Sequence, residues 1–304
     1  MLKRRPFTHS LIGASIAASM TIITACTGGG GGPEIRVGSK DFTEQYVLGN
    51  LYEILLDESG FDADYKPAGG SSENHQAIVN GDIDIYPEYT GTALLTHLGM
   101  EFDSSMSADT VYSTVKDAYA NDFELAVLEP TDFNNTYVLV MTKPKAEELD
   151  IKNVSDLSTK GGDLTFGTTQ EFTERDDGLP GLRETYGGFN FEEIVALDPG
   201  LLYSGIEEGE IDVTTGFGTD GQIAAYDLLV LEDDKKFWPP YPAAPIVRQA
   251  VVDEHPEVAE LLNQLSATID ADTMQELNWE VSGNGREADE VAREFLEENG
   301  LIGS

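Results

Sequence analysis

Ile35-Arg36-Val37-Gly38-Ser39-Lys40-Asp41-Phe42-Thr43-Glu44 reads as a short strand that runs through a loop into a helix. Thr43 is placed to cap that helix, with the acid Glu44 in the first turn, where the backbone dipole favours negative charge. From Glu44 to about Glu58, Tyr46, Leu48, Leu51 and Leu55 form a broad apolar face. Gly60 ends the helix and Phe61 to Tyr65 reads as a second strand. The unit then recurs. Gly69-Gly70-Ser71-Ser72 opens a helix reaching Asn80-Gly81, Ile83 to Tyr86 is a strand, and Tyr89-Thr90-Gly91-Thr92 turns into a helix through Leu98. Such alternation predicts an α/β fold with mainly parallel sheets.

Further along, Thr136 to Met141, Leu164 to Gly167, Ile211 to Thr214 and Leu228 to Leu231 are strand-like, and a short helix spans Leu202 to Glu208. Beyond Pro239-Pro240-Tyr241-Pro242 come a strand, Ile246 to Val252, and helices over Pro256 to Ser266, Asp272 to Trp279 and Arg286 to Glu298. The runs near Tyr137 and Tyr241 bracket a middle segment. A chain that leaves one lobe, builds a second and returns gives two lobes joined by two crossings: 35–138 with 241–304 as the first, 139–240 as the second. Ligands then bind in the cleft at the strand ends.

The 304 residues include 56 Asp and Glu against 18 Lys and Arg, a formal net charge of −38. With 40% hydrophobic residues the chain holds enough core formers to fold. Nucleic acid is excluded as a partner, because phosphate binding needs a dense basic surface. Self-repulsion of this size is tolerable where salt screens charge, so the composition points to a protein of a halophile. One cysteine excludes intrachain disulfides and cysteine-based metal clusters.

Lys3-Arg4-Arg5-Pro6-Phe7 followed by the apolar run Leu11 to Ile23 has the form of an export signal of twin-arginine type, too short and weakly apolar for a membrane span. Ile23-Thr24-Ala25-Cys26 resembles a lipobox, which predicts cleavage of residues 1–25 and lipidation of Cys26. The segment 26–34, with Gly28 to Gly32, is then a tether. The mature domain is expected outside the cytoplasm, held to the outer face of the cell membrane.

No Gly-x-Ser-x-Gly elbow, Walker lysine loop or His-Glu-x-x-His stands in the sequence, and His75, His97 and His255 lack metal-ligand spacing. No catalytic residue, metal or cofactor is therefore expected. What recurs is aromatic residues beside single polar ones at strand ends: Tyr89 three before Thr92, Asn135 two before Tyr137, Phe217 closing a strand, and Tyr241 among prolines. Each alone fits a core position. Together they suggest an aromatic box, whose ring faces attract a quaternary ammonium by about 0.5–2 kcal/mol per contact and need no carboxylate counter-ion.

Gly38 to Gln45, Tyr86 to Thr92, Phe133 to Tyr137, Thr173 to Gly181 and Pro239-Pro240-Tyr241 together resemble the glycine betaine/choline family of ABC-transporter substrate-binding proteins, as a haloarchaeal-type lipoprotein. The resemblance runs in order from about Ile35 to the C-terminus. It implies a two-lobed, type II periplasmic-binding fold that closes on its ligand and delivers it to a permease and its ATPase. The family's cage tyrosines correspond to Tyr89, Tyr137 and Tyr241, with Phe217 where a tyrosine is usual. Lys40, Thr92 and Arg175 correspond to positions that contact a ligand carboxylate, Gln45 and Asn135 to polar positions of the cleft. Read without the resemblance, Arg175 is a surface ion-pair partner of Glu174 or Asp177. Glycine betaine is the first expectation, with choline, carnitine and proline betaine as alternatives. Two other classes compete. A membrane-anchored enzyme would need a nucleophile, metal or cofactor motif; an amino-acid or glutathione-type receptor of the same fold would want an acid at the ligand's ammonium in place of rings.

Overall fold

A computed structural model describes residues 31–303; the predicted signal, Cys26 and residues 28–30 of the tether lie outside the described residues. Strands β1 (Glu34–Ser39), β2 (Asp62–Pro67), β3 (Ile85–Tyr89), β4 (Leu125–Val127) and β10 (Ala243–Arg248) form one sheet in the order β2-β1-β3-β10-β4. Strands β5 (Tyr137–Thr142), β6 (Thr165–Thr168), β7 (Glu193–Ala196), β8 (Val213–Phe217) and β9 (Leu228–Val230) form the other, in the order β7-β6-β8-β5-β9. The protein is a two-lobed α/β fold, and the chain crosses between lobes twice, after β4 and after β9.

Both sheets are mixed, which corrects the expectation of mainly parallel ones. The neighbours β2-β1-β3 and β7-β6-β8 run parallel, whereas β10 and β5 are antiparallel to both their partners. Parallel neighbours need a helical crossover within their own lobe. The strands β5 and β10 instead arrive from the other lobe and need none. Tyr137 and Val138 already pair with Phe217 and Gly216 in the second sheet.

Three local expectations also shift. The helix Thr43–Glu58 is entered by extended backbone at Phe42, and Thr43 is its first helical residue rather than its cap. The third strand runs Ile85–Tyr89, two residues beyond the hydrophobic signal that starts at Ile83. The predicted strand Ile246 to Val252 breaks after Arg248 and becomes the helix Gln249–Glu254. Arg248 faces Leu125, the first residue of β4, so no partner strand remains beyond it.

The helix Thr43–Glu58 buries Val47, Leu48, Leu51 and Leu55 in the first core with Ile35 and Val37 of β1. Three C-terminal helices, Pro256–Ser266, Ala271–Ser282 and Ala288–Glu298, pack around it. The middle one also meets the second lobe. Gln275 Nε2 donates to the Gly218 carbonyl and Asn278 Nδ2 to the Thr219 carbonyl, both at 2.9 Å. One helix thus ties the two lobes beside the cleft.

Candidate ligand-binding cleft

A cavity of about 460 Å³ lies between the lobes, and its walls come from the strand ends and crossings. Tyr89 ends β3, Phe217 ends β8, Tyr137 begins β5, and Tyr241 stands just before β10. Lys40, Thr92, Asn135 and Arg175 reach the same cavity. Gln45 does not: it is fully buried behind the wall, where its Oε1 accepts the Lys40 backbone N–H at 3.1 Å. Cys26 lies outside the described residues.

The rings form a connected set. Tyr137 and Phe217 have centroids 4.9 Å apart. Phe42 lies 6.0 Å from Phe217 and 6.3 Å from Tyr89, nearly parallel to both. Tyr241 is held by its backbone N–H to Asn134 Oδ1 at 2.6 Å and by its hydroxyl to Asp177 Oδ2 at 3.3 Å. Gly91 allows this, because a Cβ there would stand 2.7 Å from the Tyr241 ring. Phe42, read only as part of a loop, and Tyr203 are cavity rings that sequence reasoning missed.

Both expected cations already carry acidic partners. Lys40 Nζ is buried, pairs with Glu88 Oε1 and lies 4.8 Å from the Tyr89 ring centroid. Burial alone would raise the Glu88 carboxyl, but the Lys40 charge and the hydrogen bonds from His97 and Lys40 hold it down at about 2. Arg175 makes a two-pronged contact with Asp177, Nε to Oδ1 and Nη2 to Oδ2 at 2.6 Å each, and its Nη1 reaches Glu171 Oε1 at 2.7 Å. Arg175 thus lines the cavity and is also an ion-pair partner of Asp177, as its reading without the resemblance expected. Its bond to Asp177 raises the already basic guanidinium further, so it stays charged.

The acid that sequence reasoning passed over is Glu44. Its Oε1 accepts from the Tyr89 hydroxyl at 2.7 Å and from Asn135 Nδ2 at 2.6 Å. Its Oε2 accepts from the Thr219 hydroxyl and from Asn278 Nδ2 at 3.0 Å. Burial pushes this carboxyl up, against the pull of the four donors. Asp220, on the same wall, accepts from the Phe217 N–H at 2.8 Å and the Tyr203 hydroxyl at 2.6 Å. Burial raises it to about 6, with the field of Glu44 adding to the effect. Among the described residues no group of three or more His, Cys, Asp or Glu could hold a metal ion.

Rings, paired cations and buried acids around one interlobe cavity describe a receptor for a small charged organic solute. Residues 33–298 match the family model described as the substrate binding domain of ABC-type glycine betaine transport system. The chain belongs to this family. A glycine-betaine-binding protein of Pseudomonas aeruginosa is 35% identical over 278 residues, 88% of each chain. An ergothioneine transport permease/ergothioneine binding protein of Helicobacter pylori strain G27 is 34% identical over 267 residues, 87% of this chain. This chain spans only 47% of the length of that relative. A crystal structure titled glycine betaine/carnitine/choline ABC transporter superposes with a TM-score of 0.77 at 31% identity, covering 88% of this chain and 99% of that one. Members of the family are substrate-binding components of ABC transporters and not enzymes.

Proposed function

We propose that this protein captures a quaternary-ammonium compatible solute outside the cytoplasm and hands it to an ABC permease and its ATPase, with glycine betaine as the first candidate. The observation that carries this reading is the convergence of Phe42, Tyr89, Tyr137, Phe217 and Tyr241 on one interlobe cavity. Ring faces attract a trimethylammonium group through their quadrupoles and do not demand that it shed a tightly held hydration shell. The betaine carboxylate would meet Arg175, whose planar fork suits it. Glu171, the outer partner of Arg175, is 65% exposed and can give way. Thr92 and Asn135 supply polar contacts on the same wall.

Choline is the second reading, favoured because Lys40 and Arg175 both have acidic partners in the cavity; carnitine and proline betaine share the headgroup. A halophilic setting, a lobe division near residues 138 and 241, and attachment through a lipidated Cys26 belong to the same proposal and rest on the sequence. Calorimetric titration with betaine, choline, carnitine and proline in molar KCl tests it. Binding of the trimethylammonium compounds is expected; binding of none of them would overturn it.

A further inference from the structure

We infer that Glu44 is the buried counter-charge for the ligand's ammonium group, behind the rings, and that it makes the cavity select a cation over a neutral molecule of the same shape. The inference rests on the quaternary-ammonium reading and adds a residue to it. Three observations support it. Glu44 lines the cavity and is 3% exposed, yet among the described residues it forms no ion pair. An ionised carboxylate is costly to bury without a compensating positive charge. The four donors that fix it are all neutral, so they orient the charge without cancelling it.

The second observation is the charge balance of the wall. Each cation is matched, Lys40 by Glu88 and Arg175 by Asp177 and Glu171, whereas Glu44 and Asp220 have no positive partner among the described residues. A cavity with three unmatched acids, Glu44, Asp220 and the exposed Asp41, is complementary to a ligand that brings a fixed positive charge. The third is the position of the rings. Tyr89 joins the two functions, one ring of the box whose hydroxyl donates to Glu44 at 2.7 Å. A headgroup seated among the rings of the cavity lies within range of the field of this carboxylate. Asn135 Oδ1 and Asn278 Oδ1, on the two amides that donate to Glu44, are buried without a hydrogen-bond partner among the described residues.

The donors also come from different parts of the fold. Tyr89 belongs to the first lobe, Thr219 follows β8 in the second, Asn135 lies in a crossing and Asn278 on the bridging helix. A cation that stabilises the ionised form of Glu44 therefore strengthens bonds that hold the lobes together around it. The headgroup would be read by rings in front and by a charge behind.

The test compares choline with dimethylbutanol, its neutral isostere in which carbon replaces nitrogen, on wild type and Glu44→Gln in molar KCl. The ratio of the two affinities reports the charge, while a general loosening of the cavity lowers both alike. Glu44→Gln should weaken choline roughly ten- to a hundredfold and change the neutral isostere by less than about threefold. An unchanged ratio in Glu44→Gln, with wild type binding choline, overturns the counter-charge alone. Wild type that binds neither compound nor betaine overturns the counter-charge together with the quaternary-ammonium reading. If Glu44→Gln does not fold, Glu44→Asp withdraws the charge by one methylene; a lowered ratio then supports the inference and a wild-type ratio overturns it.

Discussion

Arg175 meets a ligand carboxylate in competition with its acidic partners, with three of its five N–H donors already engaged. Its Nε and Nη2 donate to Asp177, and its Nη1 donates to the exposed Glu171. An exposed i,i+4 pair contributes about 0.3–0.5 kcal/mol, whereas a hydrogen bond to a buried charged ligand contributes roughly 1.5–3 kcal/mol. The ligand carboxylate should win. Glu171→Gln, which frees the guanidinium edge, should tighten betaine by a fewfold and leave choline unchanged. Arg175→Ala should weaken betaine about tenfold and choline little, since it also leaves Asp177 as extra negative charge. Equal losses for both ligands would show that Arg175 holds structure and does not read the ligand. Asp220 gives a pH signature. Its carboxyl is raised from 3.8 to about 6 by burial, so the fold binds its proton more tightly than the unfolded chain does. Its stabilising contribution is complete below pH 3.8 and lost as pH rises through about 6. Relative to Asp220→Asn, ligand-free wild type should lose thermal stability across that window, on the order of 6–12 °C. A difference between the two proteins that stays constant with pH would contradict the assignment.

Among the elements, the turn Tyr89-Thr90-Gly91-Thr92 sets the position of two rings at once. Tyr89 is its entry, and Gly91 leaves room for Tyr241, with the Pro240 carbonyl only 2.9 Å from where a Cβ would stand. Gly91→Ala should drive Tyr241 outward, weakening choline and betaine together by about tenfold at a stability cost near 1–3 kcal/mol. Titration beside a thermal melt checks this; unchanged affinity would mean that Tyr241 is not part of the box. That Tyr89, Tyr137 and Tyr241 would meet at one cavity was legible in sequence because each falls beside turn residues at the end of a strand. The helix Ala108–Phe123, absent from the sequence reading, did carry a signal: Ser107 caps it, and Val111, Val115 and Tyr119 recur at four-residue spacing on its buried side. Glu44 carried none. Its donors stand 45, 91, 175 and 234 residues away along the chain, so only the folded cleft brings them together. The partners of Lys40 and Arg175 were hidden in a similar way, since an excess of acids in the sequence does not say which of them point inward.

At the scale of the whole molecule, anchor and salt are separate questions. The proposed attachment at Cys26 precedes β1 in the chain, and the described residues that line the cavity begin only at Lys40, after that strand. Cys26→Ser should therefore release the protein from membranes without changing betaine affinity; retention in the membrane fraction would count against lipidation. Salt acts on the fold. The net charge of −38 lies mostly on solvated carboxylates, whose mutual repulsion extends about 10 Å at 0.1 M salt and about 3 Å at 1 M. The cleft is different, because its acids and its Lys40–Glu88 pair are buried and mobile ions screen them little. Lowering KCl should thus unfold the protein before it alters recognition. Circular dichroism and bound betaine should fall together along a KCl series. Added betaine should shift the midpoint to lower salt, since a ligand of the folded state stabilises it by mass action. Protein that keeps its helical signal in dilute buffer but no longer binds would place the salt requirement in the cleft. Protein that stays folded and still binds there would remove the link between acidity and a high-salt setting.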